Sequence, residues 1–288
     1  MKISDILAQK QTFSFETFPP KGDMSVEQAA ELALQLEAFS PDWISVTFSA
    51  GGSGNSGNTV AISQRIEEQG TTALAHLTCM GSTTQEVDAR VAAMRAAGIQ
   101  NVLALRGDPR PGVEVRDFAY ARDLVAHLKE TAPDLCVGGA CYAEGHVACE
   151  SLDADLDHLR EKQDAGVDFL VTQLFFRNED FYRFRERCAR ARVKVPIVCG
   201  IMPFTSVKQI QRMAFTCGAS IPASVIRRLA AVGDDAAAQR EAGVEYACEQ
   251  VRDLAANGVD GIHIYTMNKP EVGRALHDAL LGCGYLKA

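Results

Sequence analysis

The 288-residue sequence has no CxxC pair, no His/Cys cluster at zinc-ligand spacing, and no apolar run near the ~20 residues of a membrane-spanning helix. Its nine cysteines are odd in number and scattered; Cys136, Cys141 and Cys149 are neighbours in sequence but fit no metal template. Reduced thiols in the cytoplasm are therefore the expectation, and the opening MKISDILAQKQ, which lacks the long apolar core of a signal peptide, agrees with it. A basic excess is also missing. The net charge of −8 argues against nucleic-acid or anionic-membrane surfaces and points to small-molecule partners. No strand-like run is followed by GxGxxG, no nucleophile elbow or Ser-His-Asp order is present, and no strand carries an interior Lys for a Schiff base.

What the chain does have is one rhythm, repeated. Short apolar runs alternate with amphipathic stretches rich in Ala, Leu, Glu and Arg. The runs are FSFETF (Phe13 to Phe18), WISVTF (Trp43 to Phe48), ALAHLTC (Ala73 to Cys79), NVLALRG (Asn101 to Gly107), CVGGACY (Cys136 to Tyr142), DFLVTQLFF (Asp168 to Phe176), VPIVCGI (Val195 to Ile201) and GIHIYT (Gly261 to Thr266). Between them, stretches such as VEQAAELALQLEAF, TQEVDARVAAMRAAG and ADLDHLREKQDAG are apolar at i, i+3, i+4 and i+7, and the last two end in a helix-stopping Gly. Eight βα units in a chain of this size predict an α/β fold, a single-domain (βα)8 barrel spanning residues 1–288. The long stretch between the seventh and eighth strands predicts extra helices that break near Gly233-Asp234-Asp235. SAGGSGNSGN, after the second strand, reads either as a mobile loop or as a lid or phosphate cradle.

Barrels of this kind build their sites at the carboxyl ends of the strands. Those ends carry Glu16, Thr47, His76 with Thr78, Arg106 with Asp108, Tyr142 with Glu144 and His146, Gln173, and Tyr265. Glu16 closes an aromatic strand that runs into Pro19 and Pro20, so a rigidly mounted carboxyl is expected, desolvated by the aromatic residues and pushed further toward neutrality by Asp108. Two carboxyls in unlike settings suit general acid catalysis. An ion pair of Glu16 with Arg106 or a lysine is the alternative. The RGD of LRGDP ends a strand, so it does not read as an adhesion loop; Arg106 can fork onto a phosphate or a ring edge, and Gly107 admits a ligand close to the backbone. His76 and His146 are placed near the mouth, His263 facing a helix, and His127, His158 and His277 on helices.

Taken in order, FSFETFPPK, SVTFSAG, AHLTC, ALRGDPR, CYAEGH, VTQLFF and GIHIYTMN resemble the methylenetetrahydrofolate reductases of the short bacterial type, from about Phe13 to Tyr285. The resemblance implies a barrel that holds FAD, takes hydride from NADH or NADPH, and delivers it to methylenetetrahydrofolate in a ping-pong reaction. It implies Glu16 as general acid and Asp108 as the carboxylate near flavin and pterin. Folate contacts are implied at Gln173, Tyr265, Met213 and Lys269. FAD contacts are implied at Thr47, His76, Arg106, Gly107, Asp108, Tyr120, Ala121, Tyr142, His146, Asp155 and Lys162. It further implies a homo-oligomer, dimeric or tetrameric, and a reaction able to run in reverse. The chain departs from the family pattern at His158 and Glu161, where relatives carry an amide and an arginine, at Met213, where they carry an aromatic residue, and at Thr17 and Ser49. Glu161 beside a diphosphate is expected to weaken FAD binding. A folate- or pterin-binding barrel without redox chemistry, or a methyltransferase, is the competing function.

Overall fold

Eight parallel strands pair in chain order and close into a barrel: β1 (Thr12–Thr17), β2 (Trp43–Val46), β3 (Thr72–Thr78), β4 (Asn101–Leu105), β5 (Cys136–Cys141), β6 (Phe169–Thr172), β7 (Ile197–Ile201) and β8 (Gly261–Tyr265). The computed structural model describes residues 1–19, 24–48, 56–108 and 111–287. The helices are α1 (Ile3–Leu7), α2 (Val26–Glu37), α3 (Ser56–Glu68), α4 (Thr84–Ala96), α5 (Ala121–Thr131), α6 (Leu152–Asp164), α7 (Asn178–Arg190), α8 (Val207–Cys217), α9 (Ala223–Val232), α10 (Ala236–Ala256) and α11 (Pro270–Gly282). Local sequence explains their bounds. Ser25 with Gln28, and Thr83 with Glu86, form capping boxes that start α2 and α4. Gly98 and Gly166, at φ +79° and +104°, end the turns after α4 and α6 in a conformation that favours glycine.

Strand alternation divides the chain into two cores. Phe13 and Phe15 point outward into the main cluster beneath the helices, where Phe15 meets Phe39 with ring centroids 6.0 Å apart. Ser14 and Glu16, between and beyond them, point inward. The lower barrel is filled by Trp43, Leu74, Leu103, Cys136, Phe169, Val171 and Val198. Its floor is shut by α1: Ile3 joins that cluster, and Asn101 accepts the Ile3 amide at 2.8 Å while donating to the Met1 carbonyl at 2.9 Å. The sequence reading had no helix here.

Two further differences from the sequence reading concern the mouth. The apolar run Asp168 to Phe176 yields only a four-residue strand, Phe169–Thr172. Leu174 and Phe176 leave the sheet to join Met202, Phe204, Ile210, Val225 and Leu229 under α8 and α9. Hydrophobicity alone does not separate strand from wall. His263, expected to face a helix, lies inside the barrel: its ring stacks on Trp43 at 6.5 Å, Nδ1 pairs with Ser14 Oγ at 2.8 Å, and Nε2 with Ser45 Oγ at 3.2 Å. The predicted helices between β7 and β8 are present and break at Gly233, with Asp235 capping α10. In that segment α8 and α9 wall the mouth, while α10 packs against α7, α9 and α11 as the crossover.

Candidate active site

The register delivers Glu16 to the mouth directly between Ser45 of β2 and Tyr265 of β8. Its side chain is one-fifth exposed. Desolvation by burial raises its pKa from the ordinary 4.5 to about 8. The sequence reading had the direction right and the cause partly wrong. The flanking phenyl rings face the opposite side of the sheet, and the barrel interior itself withdraws the water. Asp108 is exposed beyond the end of β4 and takes no part in the shift. The ion-pair alternative with Arg106 is replaced by a different neighbour, His76 of β3, whose Nε2 is 3.7 Å from Glu16 Oε2. Burial lowers the pKa of His76 to about 3, so its imidazole is neutral and leaves the carboxyl without a counter-charge.

The mount of Glu16 comes from β8, not from proline alone; Pro20 lies outside the described residues. Thr266 donates to the Glu16 carbonyl at 2.8 Å. Asn268 Oδ1 accepts from Thr17 Oγ1 at 2.8 Å and from the Phe18 amide at 3.0 Å, and its amide donates to the Phe18 carbonyl at 2.9 Å. Met267 and Asn268 both adopt left-handed backbone, φ +55° and +54°, which aims the asparagine across the gap between the two strand ends. Sequence reasoning took only Tyr265 from this segment; the polar pair after it was the available signal. Asn268→Ala removes three hydrogen bonds to the β1 exit and is expected to cost about 2 kcal/mol in urea unfolding and to slow turnover. Unchanged stability and rate would remove Asn268 from this role.

Around the mouth, several side chains meet a planar, hydrogen-bonding group well. Thr47 Oγ1 and His76 Nε2 are buried and have no hydrogen-bond partner among the described residues. Gly107 is held at φ +84°, where an added Cβ would lie 3.2 Å from Thr78 Cβ, and its carbonyl accepts from Arg106 Nε at 3.3 Å. Arg106 follows β4 half-buried, and its positive charge is felt at His146. Asp108 is felt at Tyr142, His146 and Cys217, across the mouth on the β5 and α8 sides. Tyr142 and His146 meet edge to face at 4.7 Å. Burial, followed by the Arg106 charge, lowers the His146 pKa; its Nδ1 accepts the Ala148 amide at 3.0 Å, which puts the proton on Nε2.

Farther out, Tyr120 and Ala121 begin α5, with the Tyr120 amide held by Asp123 at 2.8 Å and the ring under the Arg122 guanidinium at 5.1 Å. Asp155, in the first turn of α6, has its pKa raised by burial. Lys162 lies behind β5: its stem crosses Gly139, and Nζ donates to the Ala140 carbonyl at 2.5 Å, with burial lowering its pKa. It belongs to the β5–α6 seam in this conformation, not to the open mouth. On the opposite side, Met213 of α8 packs in the cluster that contains Tyr265. Tyr265 donates its hydroxyl to the Thr172 carbonyl at 2.6 Å, so it presents a ring face to the mouth. The side-chain Oε1 of Gln173 accepts the Leu174 amide at 2.8 Å. Lys269 begins α11, half-buried. Ser49 and most of SAGGSGNSGN lie outside the described residues, so the lid or cradle reading has no geometry.

The profile of the methylenetetrahydrofolate reductase family matches residues 2–280. The chain belongs to that family. It is 36% identical over 264 residues to 5,10-methylenetetrahydrofolate reductase of Escherichia coli, covering 91% of this chain and 88% of that protein. It is 37% identical over 284 residues to methylenetetrahydrofolate reductase (NADH) 1 of Arabidopsis thaliana, covering 93% of this chain but 48% of the plant protein. The chain thus spans about half the length of the plant relative. Among solved structures, a Clostridium thermocellum protein that binds two copies of 5-methyl-5,6,7,8-tetrahydrofolic acid superposes with a TM-score of 0.65 at 16% identity, covering 98% of both chains. Dihydropteroate synthase of Xanthomonas albilineans superposes with a TM-score of 0.53 at 16% identity over 95% of this chain and 92% of that one. These two likenesses establish the fold.

The departures from the reductase pattern have local explanations. Glu161 is ion-paired with Arg122 of α5, so its charge is met by a cation from the neighbouring helix. His158 Nδ1 lies 3.8 Å from Cys149 Sγ, tying α6 to the loop after β5. Thr17 is taken up by Asn268 in the β1 mount. Among the described residues no helix is long and apolar enough to cross a membrane.

Proposed function

We propose that the protein reduces 5,10-methylenetetrahydrofolate to 5-methyltetrahydrofolate with hydride from NADH or NADPH, relayed through bound FAD in two alternating half-reactions. The observation that carries this reading is Glu16: a carboxyl at the barrel mouth with a pKa of about 8 is a loaded acid at neutral pH. Reduction first requires the five-membered ring of the substrate to open. Glu16 gives its proton to the leaving nitrogen, the C–N bond breaks toward that nitrogen, and the methylene carbon becomes an iminium carbon. Hydride addition there yields the methyl group. FAD, when bound, supplies that hydride after receiving it from the nicotinamide.

This chain's own residues bind and orient. The unpartnered Thr47 Oγ1, the His76 ring, the left-handed backbone at Gly107 and Arg106 would suit a flavin ring with its polar edge, and Asp108 would stand where ring and pterin meet. Tyr120, Ala121, Tyr142, His146 and Asp155 would line the way to α5 and α6, whose N-termini favour a diphosphate, and Lys162 would have to swing out of the β5–α6 seam to join them. The Arg122–Glu161 pair offsets the repulsion expected from Glu161, so retention of FAD is our expectation. Gln173, Tyr265, Met213 and Lys269 would take the folate. The same site supports the reverse oxidation. We assign the protein to the cytoplasm, consistent with nine free thiols, and to a homodimer or homotetramer.

The test is the visible spectrum of freshly purified protein, before and after anaerobic NADH and then methylenetetrahydrofolate. A yellow protein that bleaches with NADH and recovers its colour with the folate is expected. A protein that stays colourless with added FAD yet binds tetrahydrofolate would replace this reading with a non-redox folate barrel or a methyltransferase.

A further inference from the structure

The polar groups inside the upper barrel are almost all committed to one another. Both nitrogens of His263 are taken by Ser14 and Ser45, the Tyr265 hydroxyl by the Thr172 carbonyl, and the Thr266 hydroxyl by the Glu16 carbonyl. Among the described residues two buried atoms there remain without a partner, Thr47 Oγ1 and His76 Nε2, and the second is the one 3.7 Å from Glu16 Oε2. His76 is only 6% exposed, so water does not readily replace a protein partner.

We propose that His76 is a positioning residue for Glu16: its neutral imidazole donates the hydrogen bond that receives the carboxylate left when Glu16 gives up its proton. The inference rests on the acid role of Glu16 for its catalytic meaning, though not for its test. Closing 3.7 Å to the roughly 2.8 Å of a charge-assisted bond takes a small rotation of the Glu16 side chain. A dipolar neighbour stabilises the anion more than the neutral acid, so His76, once its hydrogen bond forms, holds the Glu16 pKa below the value of about 8 that burial alone imposes. An acid that burial made too weak would hold its proton and transfer it slowly; His76 keeps it near the working pH. The histidine stays neutral throughout, because burial puts its own protonation near pH 3.

Among the described residues Tyr265 of β8 feels the Glu16 charge, with Tyr142, Cys141 and Cys217 around the same tyrosine, and His263 of β8 feels His76. Burial holds the phenols and thiols protonated and His263 neutral, so none changes charge near pH 8. Asp108 and Arg106 are the charged groups beyond the end of β4.

The experiment is a carbon-13 NMR titration of the full chain labelled at glutamate side-chain carboxyls, without substrate, with the Glu16 signal assigned by its loss in Glu16→Gln. In His76→Leu the Glu16 midpoint is expected to rise by about one pH unit, a tenfold weaker acid. His76→Phe, which keeps an apolar ring in the same space, is expected to match it. His76→Gln, which restores an N–H donor, is expected to stay within about 0.3 unit of the native midpoint. An unchanged or lowered midpoint in the apolar variants, or a rise in His76→Gln equal to theirs, overturns the proposal. A protein that titrates as expected yet reduces no folate refutes the functional reading and leaves this one standing.

Discussion

Glu16→Gln is expected to slow reoxidation of the reduced flavin by methylenetetrahydrofolate about a thousandfold, while reduction of the flavin by NADH stays within a few-fold of native. The amide keeps the shape and loses only the proton, so stopped-flow traces of the two half-reactions separate acid chemistry from binding. Equal loss in both would refute the role of Glu16. The pH dependence follows from the same group. With a pKa of about 8 the acid is loaded below pH 7, and the folate half-reaction should fall tenfold per unit above pH 8. Loss of that alkaline limb in the amide variant is the accompanying check.

Stability should move the opposite way. The folded state holds the Glu16 proton up to about pH 8, whereas the unfolded chain releases it near 4.5. Between those values the folded state binds more protons, so raising pH costs stability, and the contribution is lost as pH climbs through 8. Glu16→Gln removes that penalty and is expected to be more stable than native at pH 8.5 by about 4 kcal/mol, with little difference at pH 4.5. A residue that stabilises the fold when removed and disables the reaction when removed is what a strained functional site predicts.

These effects depend on features that the sequence revealed unevenly. All eight strands and the break at Gly233 were legible, because apolar runs and stop residues are local signals. Glu16 was legible as well, from its position at a strand end. Its environment was not. FSFETF has two rings beside Glu16 in sequence, yet pleating sends Phe13 and Phe15 to the helix side and leaves the carboxyl with His76, which is 60 positions away in the chain. His263 was misplaced for the same reason: inside and outside faces look alike where a strand is buried on both sides. Asn268 was hidden because a left-handed turn after β8 is set by closure of the barrel against β1. The resemblance to the reductases supplied candidate roles for strand-end residues; only the closed ring showed which of them touch.

Closure also leaves no room for a side chain at Gly200 of β7, and Gly200→Ala is expected to lower stability by about 3 kcal/mol, or roughly 6 to 12 °C in melting temperature. An added Cβ would stand 2.3 Å from both the Thr172 carbonyl oxygen and the Tyr265 hydroxyl. The carbonyl is fixed in the sheet next to β7, so the tyrosine must leave. Its 2.6 Å hydrogen bond to that carbonyl then breaks, and the ring is driven into the space above Glu16. The folate half-reaction should therefore weaken with a raised KM. Tyr265→Phe alone loses the hydroxyl but keeps the ring, and should cost about 1 kcal/mol. In the Tyr265→Phe background the alanine should be less harmful than in the native one, since one of its three close contacts is gone while those with the Thr172 carbonyl and the ring carbon Cε2, at 2.7 Å, remain. If the cost of Gly200→Ala is the same in both backgrounds, the carbonyl sets it, and Tyr265 is a bystander to the packing of β7.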